Sequence, residues 1–215
     1  MMTNQSIQAM RHSAHEFSDR EVDLDTLKAI VSEAQLAPSW ENTQPWKAYL
    51  AVGKTAKQIR GHHKKLAVQR TRSHTEVTPP RTWAPMPQAN LNRWMSNMAE
   101  FYSPDESDQM MASENDLFNA PAILYLTMPK GSSAYSAYDV GAFGYGILLA
   151  AADHGVGSLP AYELIRYPAE IREEFDIPED EAIFMGIALG YAKDDKLNDL
   201  RTTRTDLDQI LQIKN

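Results

Sequence analysis

Three segments of the chain carry residue types suited to holding a flat, phosphorylated ligand. In Arg11-His12-Ser13-Ala14-His15-Glu16-Phe17, two cationic side chains and a hydroxyl occupy consecutive positions. Such a set offers charge-assisted hydrogen bonds to a phosphate. His15, two positions beyond Ser13, could donate to a second part of the same ligand. Read alone, the segment is equally an exposed N-terminal turn. The second segment is Ala37-Pro38-Ser39-Trp40-Glu41-Asn42-Thr43-Gln44-Pro45-Trp46, a polar loop between two prolines. Asn and Gln amides can read carbonyls and ring nitrogens, and the tryptophans offer stacking surfaces. A tight helix-to-strand turn explains the prolines and Trp46, but not Asn42 and Gln44 together. The third is Arg201-Thr202-Thr203-Arg204, whose arginines are spaced to converge on one anion. On its own it reads more simply as two exposed arginines.

Patterns for other chemistries fail. Gly53-Lys54-Thr55 resembles the end of a phosphate-binding loop, but position 48, where that motif needs glycine, is Ala. The Gly141–Gly146 run, GAFGYG, has the wrong order for a dinucleotide fingerprint and lies mid-helix. No GxSxG elbow, HExxH helix or EF-hand loop occurs. His62 and His63 are adjacent, so they cannot share one helical face as metal ligands, and no metal is expected. With no cysteine, disulfides, CxxC pairs and thiolate zinc sites are excluded.

The elements that must position these segments are partly legible. Asp23 is suited to N-cap a helix over LDTLKAIVSEAQLA, with Leu27, Ile30, Val31 and Ala34 at helical spacing and Pro38 closing it. Trp46, Ala48, Leu50 and Val52 alternate as the inward face of a half-buried strand. A helix follows, then a loop around Pro79, Pro80, Pro85 and Pro87 that is expected to lack regular structure. Helices are predicted at Gln88–Phe101, Asp105–Asn119 and Pro168–Phe175, a tail helix at Asp206–Ile213, and strands at Ala122–Met128 and Ala182–Leu189. Tyr138–His154 is too short to span a membrane, with Asp139 and Asp153 near its ends. It reads as a core helix apolar on all sides, with Gly141, Gly144 and Gly146 permitting close backbone approach. About three strands among six or so helices suggest helices on both faces of a small sheet. So much apolar helix surface points to a dimer.

The 215 residues are 43% hydrophobic and 23% charged, with a net charge of −8. These values suit a soluble, cytoplasmic, single-domain protein with a sizeable core, and disfavour general nucleic-acid binding. The start, MMTNQSIQAM, has no apolar run resembling a signal peptide. Between Lys54 and Arg81 stand eight Lys/Arg and one acid, Glu76; the rest of the chain has 13 bases and 28 acids. This basic island reads more readily as solvated surface than as an anion site.

Taken together, the three segments resemble the FMN-dependent nitroreductase family. Its members open with Arg-[Arg/His]-Ser-x-[Arg/Lys]-x-Phe and continue with Ala-Pro-Ser-x-x-Asn-x-Gln-Pro-Trp, matched here at every fixed position from Ala37 to Trp46. The Gly-rich Asp139–Ala152 helix, the Gly155–Pro160 stretch, Gly190-Tyr191 and the RxxR segment complete a resemblance running from about Arg11 to Leu211. It implies an α+β fold: a three-layer α/β/α sandwich with a small mixed sheet and a long apolar helix at a dimer interface. One domain would cover 1–215, with a C-terminal arm from about 198 contacting the other subunit.

The resemblance also implies a flavin site. Arg11, Ser13 and Arg204 would hold the FMN phosphate, with His12 nearby and Arg201 a secondary contact. His15 would take the pyrimidine edge, where the family places Arg or Lys; a group titrating near neutrality there would make activity depend on pH. Pro38, Ser39, Trp40 and Asn42 would come from the other subunit. Pro160, Ala161, Tyr162 and Glu163 would run past the ring, a backbone N–H of Tyr162 or Glu163 reaching N5. Gln69, Arg70 or Arg72 would be a further pyrimidine partner. Trp40 and Glu41, bulkier than is common at their positions, would narrow access for the acceptor. The implied reaction passes hydride from NADH or NADPH through flavin N5 to a nitroaromatic or quinone in a ping-pong cycle. No side-chain acid, base or nucleophile is required, and without thiols the redox chemistry falls to the cofactor. Two alternatives stay open: a same-fold flavoenzyme acting on an enone, a dehydrogenation or a dehalogenation, or a non-catalytic FMN-binding sensor or store.

Overall fold

The computed structural model describes residues 6–214. A single turn, α1 (Ile7–Met10), precedes the Arg11–Phe17 segment. Helix α2 (Leu24–Ala34) begins where Asp23 accepts from the backbone N–H groups of Asp25 and Thr26 at 3.0 and 3.2 Å. These bonds satisfy two of the donors that a helix start leaves unpaired. Leu27, Ile30 and Ala34 are buried along one face, as their spacing predicts. Asp23→Ala is expected to lower stability by about 1 kcal/mol, read as a lower denaturant midpoint at unchanged slope.

Strand β1 (Lys47–Val52) runs into α3 (Gly53–Val68), followed by α4 (Pro85–Phe101) and α5 (Pro104–Asn115). Then come β2 (Ala122–Pro129), α6 (Ala134–Asp153), β3 (Gly157–Ala161), α7 (Pro168–Glu174), β4 (Glu181–Gly190) and the single turn α8 (Leu207–Ile210). The strands form one sheet in the order β1-β2-β4-β3. Among the described residues all three ladders are antiparallel, in place of the expected mixed sheet, and parallel pairing is confined to a single bridge between Ser13 and Ser158. One face of the sheet shares a core with α3 and Phe17, the other with α2 and α6. These are the three layers.

Four strands stand where three are predicted. The additional one, β3, is a five-residue GSLPA segment whose glycine and proline suppress any strand signal. It lies at the end of the sheet, where proline is tolerated. In β1 the predicted inward residues Ala48 and Val52 are exposed, and Ala51 is buried instead. Both faces of β1 are covered: Ala51 packs with Ala56 and Ile59 of α3, while Trp46 and Leu50 face α2 and α6.

Other expectations are also corrected. Pro85 and Pro87 open α4 instead of interrupting a loop, since first-turn N–H groups have no intrahelical acceptor to lose. The predicted Asp105–Asn119 helix stops at Asn115, because Leu117, Phe118 and Asn119 take positive φ of 47°, 61° and 57°. Helix α6 is not covered all round. Val140, Phe143 and Ile147 are buried, whereas Tyr135, Tyr138 and Tyr145 are exposed in the single chain. Gly146 permits the predicted close approach, since a Cβ there would lie 3.2 Å from the Ala34 Cα. The tail helix is one turn, its Leu207, Ile210 and Leu211 exposed; a helix this short needs packing that these residues lack within the chain. No helix among the described residues is long and apolar enough to cross a membrane.

Candidate functional site

The Arg11–Phe17 segment lies as a strap beside the sheet. Ala14 donates to the Ser158 carbonyl of β3 at 3.1 Å, and the Phe17 N–H donates to the Phe118 carbonyl at 3.0 Å. Phe17 is fully buried, which anchors the strap and leaves the preceding residues free to face a ligand. Beyond β4 the chain turns through Leu197 and Asn198, bringing Leu200–Arg204 to the same place. The two segments enclose a cavity of about 540 Å³ that gathers Arg11, His12, Ser13 and His15 with Arg201 and Arg204. Six predicted phosphate-end and ring-edge residues, 183 or more positions apart for some pairs, therefore share one site.

Its charge is one-sided. No Asp or Glu among the described residues lines the cavity. Among the described residues, Arg11, Arg201 and Arg204 form no ion pair. Arg201 donates to the Asn198 carbonyl at 2.6 Å, and Arg204 to Thr202 Oγ1 and the Thr203 carbonyl at 2.8 and 3.0 Å. Neutral acceptors satisfy hydrogen bonds without cancelling charge. Guanidinium groups gathered this way repel one another, and a bound anion offsets that repulsion. The donor set fits a phosphate.

His15 supplies a second indication. Its ring packs edge-on against Phe118, centroids 6.0 Å apart, and its Nδ1 is buried with no hydrogen-bond partner. Burial, then the nearby His12, hold its pKa below the ordinary 6.5. Where titration near neutrality is expected, the lowered pKa favours the neutral imidazole, which leaves one ring nitrogen unused. Buried polar atoms are seldom left unpaired, so a ligand heteroatom is the natural partner.

The second segment lies elsewhere in the single chain. Pro38, Ser39 and Trp40 line a separate pocket of about 490 Å³ with Tyr135, Tyr138 and Asp139, sharing no residue with the anion cavity. The Trp40 N–H donates to the buried Asp139 carboxylate at 3.0 Å, and the indole packs on Tyr135 at 4.6 Å. Ser39 Oγ accepts from the Gln44 N–H at 3.0 Å, and the Gln44 amide donates to Asn42 Oδ1 at 3.1 Å. Glu41, Asn42 and Gln44 are exposed, with φ of 48°, 60° and 46°. Three non-glycine residues held in the left-handed region mark an over-determined loop, a feature common where ligands are clamped.

Pro160 and Ala161 end β3, half-buried. The Tyr162 hydroxyl donates to Ser73 Oγ at 2.8 Å. Glu163 turns its carboxylate toward His63 Nε2 at 2.9 Å and Arg166 at 2.8 Å. Burial works to raise the Glu163 pKa, but these partners outweigh it and hold it low. Gln69, Arg70 and Arg72 are exposed and line neither pocket. Within the basic island, the half-buried Arg60 and the exposed Lys64 pair with Asp116 at 2.9 and 2.8 Å. Sequence reasoning passes over Asp139, although an acid inside a nearly uncharged helix is a usable signal. It also passes over Glu16 and Asn198, for which no spacing pattern exists.

The chain and its fold have counterparts among known proteins. The nitrobenzene nitroreductase of Ectopseudomonas oleovorans is 27% identical over 194 residues, 85% of this chain and 83% of its own. The FMN- and NADPH-dependent nitroreductase NfnB from sphigopyxis sp. strain HMH superposes with a TM-score of 0.83 at 25% identity over 97% of each chain. The FMN-dependent nitroreductase NfnB from Mycobacterium smegmatis, solved with NADPH, shares the fold at a TM-score of 0.88 and 23% identity, over 97% of this chain and 96% of its own. The model of the nitroreductase family matches residues 9–191, which include the strap, the Pro38–Asn42 loop and the whole sheet. The chain belongs to the nitroreductase family.

Proposed function

We propose that this protein is a homodimeric, FMN-dependent oxidoreductase that passes hydride from NADPH or NADH to a nitroaromatic or quinone acceptor in a ping-pong cycle. The observation that carries the reading is the cavity in which Arg11, Arg201 and Arg204 converge without a carboxylate, beside the unpaired His15 nitrogen. Names of relatives support it: a nitrobenzene nitroreductase, and an FMN- and NADPH-dependent enzyme of the same fold. When bound, FMN supplies an N5 atom able to take hydride from a nicotinamide and return it to an acceptor.

Arg11, Ser13 and Arg204 hold the phosphate, with His12 and Arg201 beside them. His15 takes the pyrimidine edge, and Pro160, Ala161, Tyr162 and Glu163 run past the ring. Pro38, Ser39, Trp40 and Asn42 act on the flavin of the other subunit, where Trp40 and Glu41 restrict the acceptor. Two features favour the dimer: the exposed tyrosines of α6, and a Pro38–Trp40 pocket separate from the cavity of its own chain. The test is a spectrum. The purified protein is expected to be yellow, to bleach with NAD(P)H and to recover with nitrobenzene; colourless protein that FMN cannot reconstitute refutes the reading.

His15 carries a pH prediction. Because burial lowers its folded pKa, the imidazole gains charge at lower pH than an ordinary histidine does. A positive charge there attracts the electron density that reduction brings to the pyrimidine edge. Flavin reduction is expected to accelerate toward low pH, with its midpoint below that of an ordinary histidine. His15→Lys keeps the charge throughout, so its profile should be flat; identical profiles in stopped-flow measurements would remove His15 from the reaction.

A further inference from the structure

Between the two halves of the anion cavity lies a side chain that touches no ligand-facing space. Asn198 is 6% exposed. Its Oδ1 accepts from the backbone N–H groups of His15 and Glu16 at 2.7 and 3.0 Å. Its Nδ2 donates to the carbonyls of Glu16 and Lys193 at 2.8 and 2.9 Å. Its own carbonyl accepts the Arg201 guanidinium at 2.6 Å. A primary amide has two N–H donors and two acceptor lone pairs, and here all are used. Around it, Ser113 Oγ lies 2.7 Å from the His15 carbonyl and 2.6 Å from Glu16 Oε2, and Lys193 and Asn119 complete the Glu16 carboxylate's partners.

The consequence is geometric. The strap carrying Arg11, Ser13 and His15 and the segment carrying Arg201 and Arg204 are distant in sequence and belong to no common strand pair or helix. Among the described residues, the Asn198 amide bonds to the backbone of the first and its carbonyl to a guanidinium of the second. We infer that Asn198 is a positioning residue that sets the two segments in register, and so confers selectivity for a phosphorylated flavin over the same ring without phosphate. Charge-assisted contacts to a phosphate depend on the placement of several donors at once, so a shift of one segment weakens them together. No other side chain fits. Aspartate keeps the acceptors but loses both donors and faces two carbonyls, glutamine is one methylene too long, and alanine removes the side-chain acceptor of the His15 and Glu16 N–H groups while keeping the backbone carbonyl that Arg201 uses.

This inference rests on the FMN reading, and the experiment separates the two. The flavin-stripped full chain is titrated with FMN and with riboflavin, following flavin fluorescence. The wild type is expected to prefer FMN; no preference would overturn the phosphate reading itself. In Asn198→Ala, FMN binding is expected to weaken at least about tenfold more than riboflavin binding, which keeps only the ring contacts. A general loss of structure would weaken both alike, and that outcome, or an unchanged ratio, overturns the positioning role while leaving the FMN reading intact. Should Asn198→Ala fail to fold, Asn198→Asp is read by the same ratio: its collapse supports the role and its persistence overturns it.

Discussion

Arg204→Ala is expected to weaken FMN binding roughly ten- to a hundredfold, the worth of a charge-assisted contact. The structure makes this a clean measurement. Arg204 is exposed and, among the described residues, donates only to Thr202 and Thr203 of its own loop, so little of the fold depends on it. Thermal unfolding of the flavin-free variant should match the wild type, which isolates the binding effect. Arg204→Lys should recover part of the affinity, because it keeps the charge and loses the planar fork. The wild-type dissociation constant should also rise with salt more steeply than that of the alanine variant, since one cation facing the phosphate has gone. Flavin retention unchanged in Arg204→Ala would withdraw Arg204 from the phosphate site.

Gly190→Ala is expected to cost about 3 kcal/mol of stability, or a fall in Tm of roughly 6–12 °C for a chain of this size. A Cβ at Gly190 would lie 2.6 Å from Pro121 Cδ and 2.9 Å from Phe17 Cδ1. Neither neighbour is the free end of a flexible side chain: one is a ring closed on the backbone, the other a fully buried phenyl. Phe17 anchors the strap, so the displacement reaches Arg11–His15, and flavin binding should fall with stability. Gly61→Ala, inside α3, is the control. Its Cβ meets nothing within 4 Å, and alanine stabilises a helix interior by roughly 0.5–1 kcal/mol relative to glycine. A Gly190→Ala protein that melts with the wild type would show that the end of β4 yields more easily than its contacts imply.

What the sequence reveals about this molecule follows the range of each signal. Helix α2 is legible because its determinants are local: Asp23, the Leu27–Ile30–Ala34 spacing and Pro38 all lie within one segment. Strand β3 is illegible because GSLPA is held by its neighbour β4, not by its own propensity. The prolines of α4 look like breakers until their position in the first turn is known. Arg11, Ser13, His15, Arg201 and Arg204 can be named from motifs, yet only the tertiary turn at Leu197–Asn198 brings them together. Asp139 and Asn198 act through backbone atoms 99 and 183 residues away, so their partners leave no side-chain pattern to find. The His15 pKa is likewise a matter of surroundings: the residue type alone gives the ordinary imidazole value, and burial lowers it.

The strap has one more consequence, for self-association. Strand β3 ends the sheet, and a bare edge strand is a template on which another chain can add. Here the Ser158 carbonyl already accepts from Ala14, and Pro160 has no N–H to offer an incoming strand. The segment that meets the ligand thus also stands guard over the open side of the sheet. Freeing it would do more than empty a binding site: it would turn that side into a surface on which copies of the chain could stack.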